Sequence, residues 1–287
     1  MKCIVFIFAQ QNNLFHCFCS GGTLTLEDLA SYQANVTDAW NISLGEYRMY
    51  FPPPPLGGAI LSFILNIMKG NALLFSNSQY FTQMAKNLTE DSFADNIRSL
   101  ISSDKTHDRQ YYGDTPCLDS IGTTHVSVLA EDGSAVSVTS TINDEFGSKV
   151  LSPSTGIILN NQLFDFCNRA NRTSHGRRSE GGLWERPPSN MAPSVLKSPS
   201  KTLVIGGSGA EMIPPAVASV CMHGIRTQVF CSIQVFLLFA LQDVVDGLEA
   251  KGHKITQFYN TVNAVEKAGS CISAWSDKRK KGEPAGY

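Results

Sequence analysis

The stretch GTTHVSVLAEDGSAVSVTSTIN, residues 122–143, decides how this 287-residue chain is read. The runs THVSVLA and SAVSVTSTI alternate apolar and polar residues around Glu131-Asp132-Gly133. Successive side chains of a strand point to opposite faces, so a period of two predicts strands. The glycine-bearing turn between the runs predicts a β-hairpin. A hairpin alone leaves one question, which is why Thr123 and Thr124 follow Gly122 directly, where the first strand begins. Each threonine taken by itself is a strand residue, because threonine suits a pleated surface.

Composition narrows the field. Hydrophobic residues make up 43% and charged residues 17%, which is the make-up of a globular chain. A net charge of −2 gives no electrostatic argument for nucleic acid as a partner. The run Lys278, Arg279, Lys280, Lys281 reads as a solvated tail. The eight cysteines form no CxxC pair, and His107, His175, His223 and His253 have no metal-ligand spacing. No metal is predicted. Four sequons, at Asn35, Asn41, Asn87 and Asn171, are glycosylation candidates and favour the secretory route. The opening MKCIVFIFAQQNN is a poor signal peptide, and its apolar run is far too short to span a bilayer. Residues 229–241 are also too short, and Gln234 interrupts them, so they read as a buried helix or strand.

Outward from the hairpin, Thr25 followed by Asp28 gives a capping-box-like helix start. EYRMYFPPPPLGG is a strand stopped by four prolines, which cannot donate to a ladder. GGAILSFILNIMKGN is apolar on nearly every side and predicts a buried helix ended by Gly70. DSFADNIRSLISS predicts an amphipathic helix with Phe93, Ile97, Leu100 and Ile101 on one face. STGIILNNQLFDF reads as a strand with a turn, residues 168–202 as loop, and TLVIGGSGAEM as a strand entering a glycine turn. LQDVVDGLEAKGH reads as a helix closed by Gly252, and NAVEKAGSCISAW as a second hairpin. Helices first, then strands with flanking helices, predict a layered α+β fold.

These runs, taken in order, resemble the gamma-glutamyltransferase (glutathione hydrolase) family. The residues that carry the resemblance are the opening stretch, then FGSKVLSPSTGIILNNQLFDF, RPPSNMAPS, VIGGSGAE and SDKRKKGEPAGY. Upstream, GGTLTLEDLASYQA and PPPPLGGAILSFILNIMKGN resemble the end of that family's large subunit. The wording around Asp132-Gly133 and TGIILNN is most similar to the gamma-glutamyl leukotrienase branch.

The resemblance implies an N-terminal-nucleophile hydrolase, an αββα sandwich, here incomplete. It implies a precursor that cuts itself between Gly122 and Thr123, giving large and small subunits from one chain. A free α-amine on Thr123 would then stand beside the weak threonine hydroxyl as its base. The unperturbed pKa of such an amine, about 7.7–8.0, leaves it partly neutral at working pH. A glycine before the scissile bond is expected to permit a strained backbone there. Matching positions imply Thr141 as the hydrogen-bond partner of the nucleophile. They imply Asn143, Gln162 and Asp165 around the α-amino end of the donor, and Ser189 with Asn190 at its α-carboxylate. The family has a second serine at the position of Asn190. Gly209 and Ala210 fall on the oxyanion turn, where only backbone N–H groups are needed. The implied donors are glutathione and its S-conjugates, including leukotriene C4. Water, an amino acid or a dipeptide would accept the group, and no cofactor is implied. The implied location is the extracellular face of the plasma membrane.

Residues 1–20 read as a non-family segment, 21–122 as the C-terminal part of the large subunit, and 123–287 as the small, catalytic subunit. Within the small subunit, 221–241 is atypical. The part of the large subunit expected to hold a membrane anchor, and an arginine for the donor carboxylate, has no match in this chain. Two readings stand at this level. One is a threonine-nucleophile gamma-glutamyl hydrolase or transferase; the other is a non-catalytic member of the same family with at most an interaction role.

Overall fold

The computed structural model describes residues 1–5, 26–69, 87–107, 111, 122–162, 165, 186–227, 242–253 and 260–286. In chain order the first elements are β1 (Lys2–Val5), α1 (Leu26–Ser31), β2 (Asn35–Asp38), β3 (Trp40–Leu44), β4 (Tyr47–Phe51), α2 (Gly58–Lys69) and α3 (Asp91–Ser99). The second part holds β5 (Thr123–Leu129), β6 (Ala135–Thr141), β7 (Leu151–Ser152), β8 (Ile157–Ile158), β9 (Ser194–Lys197) and β10 (Lys201–Ser208). It ends with α4 (Ile213–Thr227), α5 (Gln242–Glu249), β11 (Thr261–Ala268) and β12 (Cys271–Trp275).

Six strands make one antiparallel sheet in the order β12-β11-β10-β9-β4-β3. Alternation sorts its side chains onto two faces. Met49, Phe51, Leu196, Leu203, Ile205, Val262 and Ala264 join one cluster with Leu61 and Leu65 of α2 and Ile213, Val217 and Val220 of α4. The opposite face carries Val195, Val204 and Val265, and the hairpin β5-β6 packs there through Leu129 and Ala135. The layers are thus helices, six-stranded sheet and hairpin. Burial at about 25 cal/mol per Å² of apolar surface holds them together.

The hairpin turns its hydroxyl-bearing face inward. Thr123 and His125 are buried, while Val126, Val128, Val136 and Val138 are 55%, 48%, 51% and 48% exposed. The hydroxyl-bearing face goes in because it finds partners there. Ser137 Oγ donates to the Ile205 carbonyl at 3.0 Å, and Asn263 Nδ2 donates to the His125 carbonyl at 3.0 Å. The valine face is where an αββα sandwich places its second helix layer, and no helix covers it among the described residues. The turn is closed as expected, with Gly133 at φ 84° and Asp132 accepting from Ser134 N at 2.8 Å.

Several sequence expectations change. α2 is buried along one side only, and Ile60 is 41% exposed. α3 ends at Ser99, so Leu100 and Ile101 leave its apolar face and are 37% and 51% exposed. The segment read as loop, 168–202, contains β9, which lies inside the sheet between β4 and β10. Its run Ser194-Val195-Leu196-Lys197 is too short for periodicity to reveal beside so many prolines and serines. α4 continues through Cys221 and Met222, both buried, so 221–227 extends that helix. The lysine-rich tail is not wholly solvated, since Lys280 Nζ donates to the Thr123 carbonyl. The close of α5 matches expectation: Gly252 has φ 89°, with bonds Gly252 N to Glu249 O and His253 N to Leu248 O, a Schellman motif. Thr25, Gly70 and residues 229–241 lie outside the described residues. No helix among those described is long and apolar enough to cross a membrane.

Candidate active site

A small cleft opens where the start of β5, the end of β6 and the loop before β9 converge. It is lined by Thr123, Thr141, Asn143, Gln162, Asp165, Ser189, Asn190, Met191, Ala210 and Ile213. All the residues expected at a donor site are among them, and so is Ala210 of the expected oxyanion turn. Met191 and Ile213 are lining residues the sequence reading missed. Adjacency to Ser189-Asn190 and to the glycine turn was the only signal for them.

Pairing of β5 with β6 sets Thr123 opposite Thr141. Their Oγ1 atoms lie 2.9 Å apart. Thr141 Oγ1 also accepts from Asn143 N at 2.9 Å and donates to the Gly122 carbonyl at 3.3 Å. Ile142 N donates to the same carbonyl at 2.9 Å. The carbonyl next to Thr123 therefore carries two donors, and Thr123 Oγ1 sits in a chain of hydroxyls beside it. At Gly122 the visible need is space. A Cβ would lie 2.7 Å from the Asn143 carbonyl oxygen and closer still to that of Asp144.

The polar wall is interlocked. Asn143, at φ 72°, donates Nδ2 to Asp165 Oδ1 at 3.1 Å. Gln162 Nε2 donates to Asp165 Oδ2 at 2.6 Å and reaches Asn143 Oδ1 and the Pro188 carbonyl at 3.3 Å. Gln162 Oε1 is buried without a hydrogen-bond partner. The Ser189–Met191 wall is held by the proline turn upstream. Ser189 N donates to the Pro55 carbonyl and Gly57 N to the Met191 carbonyl, both at 2.9 Å. A Cβ at Gly57 would meet the Asn190 carbonyl at 2.7 Å. Gly209 and Ala210 have φ of 123° and 52°. The turn does demand a positive φ at Ala210, which costs an L-residue about 1–2 kcal/mol where glycine would be relaxed.

His125 faces inward on β5, two residues after Thr123. Its ring bonds Thr139 Oγ1 at 2.8 Å and Ser127 Oγ at 3.0 Å, and packs on Gly206 of β10. Burial pushes its pKa down to about 4. Its unfolded value is about 6.5, so between pH 6.5 and 4 the unfolded chain binds more protons than the folded one. Stability is therefore expected to fall by up to about 3 kcal/mol as pH drops through that window. His125→Gln should flatten that slope in urea denaturation run from pH 4 to 7. An unaltered slope would remove the imidazole as its source.

Among the described residues no group of three His, Cys, Asp or Glu side chains could hold a metal ion. Asn35 and Asn41 are exposed, on β2 and β3, and Asn87 is half-buried. Asn171 lies outside the described residues.

A family model described as Gamma-glutamyltranspeptidase matches residues 9–80 and 75–231. The chain is 38% identical over 335 residues to glutathione hydrolase 5 proenzyme of Homo sapiens, spanning 93% of this chain and 57% of that one. It is 30% identical over 239 residues to glutathione hydrolase 3 of Arabidopsis thaliana, spanning 71% of this chain and 38% of that one. The crystal structure of cephalosporin acylase from Bacillus halodurans is similar in fold, with a TM-score of 0.65 at 19% identity, covering 92% of this chain and 58% of that one. The chain thus spans about half the length of the curated relatives it matches, or less.

Proposed function

Since the chain belongs to the gamma-glutamyltranspeptidase family, we propose that it cuts itself between Gly122 and Thr123 and then transfers gamma-glutamyl groups through Thr123. The observation that carries this reading is the 2.9 Å contact between Thr123 and Thr141 in a cleft shared with Asn143, Gln162, Asp165, Ser189 and Asn190. In the uncut chain Thr123 Oγ1 attacks the Gly122 carbonyl. The negative charge formed on that oxygen is met by Ile142 N–H and the Thr141 hydroxyl. Collapse breaks the Gly122–Thr123 C–N bond and passes the hydroxyl proton to the Thr123 nitrogen, which becomes a free α-amine. Water then hydrolyses the ester, giving a Gly122 carboxylate, restoring the Thr123 hydroxyl and ending the covalent link between residues 1–122 and 123–287.

In the second reaction the α-amine takes the Thr123 hydroxyl proton as Oγ1 attacks the gamma-glutamyl amide carbonyl. The N–H groups of the Gly209-Ala210 turn face the oxyanion. Collapse to the acyl-enzyme returns the proton to the leaving amine. Water, an amino acid or a dipeptide then takes the acyl group. The donor's ammonium fits the acceptor pair of Asp165 and Gln162 Oε1, because a carboxylate and an unpaired buried carbonyl both favour a cation. Its α-carboxylate faces Ser189 and Asn190. The substrates of this reading are glutathione and its S-conjugates, leukotriene C4 among them. Its location is the extracellular face of the plasma membrane, with Asn35 and Asn41 as exposed glycan acceptors.

Expression of the full chain followed by a denaturing gel tests the first step. The expected result is two pieces, of 122 and 165 residues, which sum to the 287 of the chain. Mass spectrometry should find Thr123 at the new N-terminus, and release of a chromogenic amine from a gamma-glutamyl anilide should follow. A chain that stays uncut would favour the non-catalytic family member instead.

A further inference from the structure

We propose that Lys280 is a positioning residue for the Thr123 α-amine: its ammonium, seated on the Thr123 carbonyl, disfavours a second positive charge on the α-nitrogen and keeps that amine a free base. This rests on the reading that the chain is cut before Thr123.

The observation is that Lys280 Nζ donates to the Thr123 carbonyl although 157 positions separate them in the chain. Lys280 is half-buried, and no ion pair joins it to a carboxylate among the described residues. Burial holds its own pKa below the usual lysine range, as befits a cation partly withdrawn from water.

The lysine is put there by a built support. Asp277 accepts from Arg279 N at 3.1 Å and so caps the short 3-10 turn Lys278–Lys280. Asn263 of β11 accepts from both Asp277 N and Ser276 Oγ at 3.1 Å. The same Asn263 donates to the His125 carbonyl on β5, two residues from Thr123. The tail and the nucleophile strand are therefore registered against each other through one amide side chain.

One hydrogen bond plus the span of a single residue puts the ammonium within about 6 Å of the α-nitrogen. Like charges at that range disfavour the charged form. The amine must be neutral to take the Thr123 hydroxyl proton, so Lys280 extends the active range toward lower pH. The other charged or titratable groups on neighbouring elements do not duplicate this effect. Asp165, across the cleft, acts in the opposite sense and is shared with Asn143 and Gln162. Asp144 is bonded by Asn161 at 2.6 Å, Asp277 is paired with Arg279, and His125 is buried in its neutral form. Glu211 follows the glycine turn and is not a lining residue of the cleft. Opposite Thr123, β6 presents the Thr141 hydroxyl, and β11 reaches β5 through the amide of Asn263.

The test compares full-length wild type, Lys280→Met and Lys280→Arg. A gel first establishes the cut. The pH dependence of α-amine labelling at Thr123 by acetic anhydride, read by peptide mass spectrometry, then gives the titration midpoint. Wild type and Lys280→Arg should share a midpoint about one pH unit below that of Lys280→Met. The acid limb of gamma-glutamyl anilide release should move with it. Equal midpoints in cut wild type and cut Lys280→Met overturn the proposal while leaving the cleavage reading intact. If Lys280→Met is not cut, the wild-type midpoint decides: below the unperturbed 7.7–8.0 it supports the proposal, and at or above that range it overturns it. An uncut wild type overturns the cleavage reading, and this proposal with it.

Discussion

A Thr123→Ala chain is expected to remain one 287-residue polypeptide on a denaturing gel and to release no gamma-glutamyl group above background. The same hydroxyl is asked to open the peptide bond after Gly122 and later the substrate amide, so its removal stops both. Loss of the nucleophile in a serine hydrolase lowers turnover by a factor on the order of 10⁶, and a comparable fall is expected here. Thr141 is no substitute, since it sits on the neighbouring strand and already accepts from Asn143 N while bonding Gly122. The fold should hardly notice, because the loss is one small side chain and one hydroxyl contact, worth about 1 kcal/mol. Thr123→Ser, which keeps the oxygen, is expected to split. A cut in Thr123→Ala at the same bond would show that another group does the work.

The second large effect is expected at Gly206→Ala. A Cβ there would lie within 2.7 Å of the His125 ring atoms. The ring cannot swing aside freely, since Thr139 and Ser127 hold its two nitrogens. Overpacking of this kind costs about 1–3 kcal/mol and should appear in urea denaturation. Activity should fall further than stability, because His125 lies two residues from Thr123 and a misplacement near 1 Å can cost about 10² in rate. Pairing Gly206→Ala with His125→Ala makes room again. The double-mutant cycle should report a coupling of about 0.5–3 kcal/mol. A coupling of zero would mean that the imidazole-on-glycine contact does not join hairpin to sheet.

Much of this arrangement was legible in the sequence, and the failures share a cause. The hairpin at 123–141, the strand before the prolines and the glycine turn at 209–210 each have a local pattern strong enough to stand alone. Which face of the hairpin turns inward was not legible. Period-two alternation names two faces, but the choice belongs to what packs on them, and here hydroxyls with carbonyl partners went in while valines stayed out. β9 was hidden because four residues cannot show a period, and only its pairing with β4 and β10 makes it a strand. The cleft residues were named by the family resemblance that the ordered motifs carry, not through spacing. Lys280 was missed because a run of lysines looks alike whether it faces water or a carbonyl.

The central sheet crosses the proposed cut. β3 and β4 come from before Gly122, and β9 through β12 come from after it, with Arg48, Met49 and Tyr50 paired to Lys197, Leu196 and Val195. A cut molecule would therefore still travel as one particle under native conditions. What changes is the molecularity of its assembly. The uncut chain folds at a rate independent of its concentration, whereas two severed pieces, once unfolded, must first meet. Their recovery would slow on dilution, and their midpoint of unfolding would rise with protein concentration. Maturation of this fold would thus be a one-way passage, from a chain that finds itself to a pair that has to find each other.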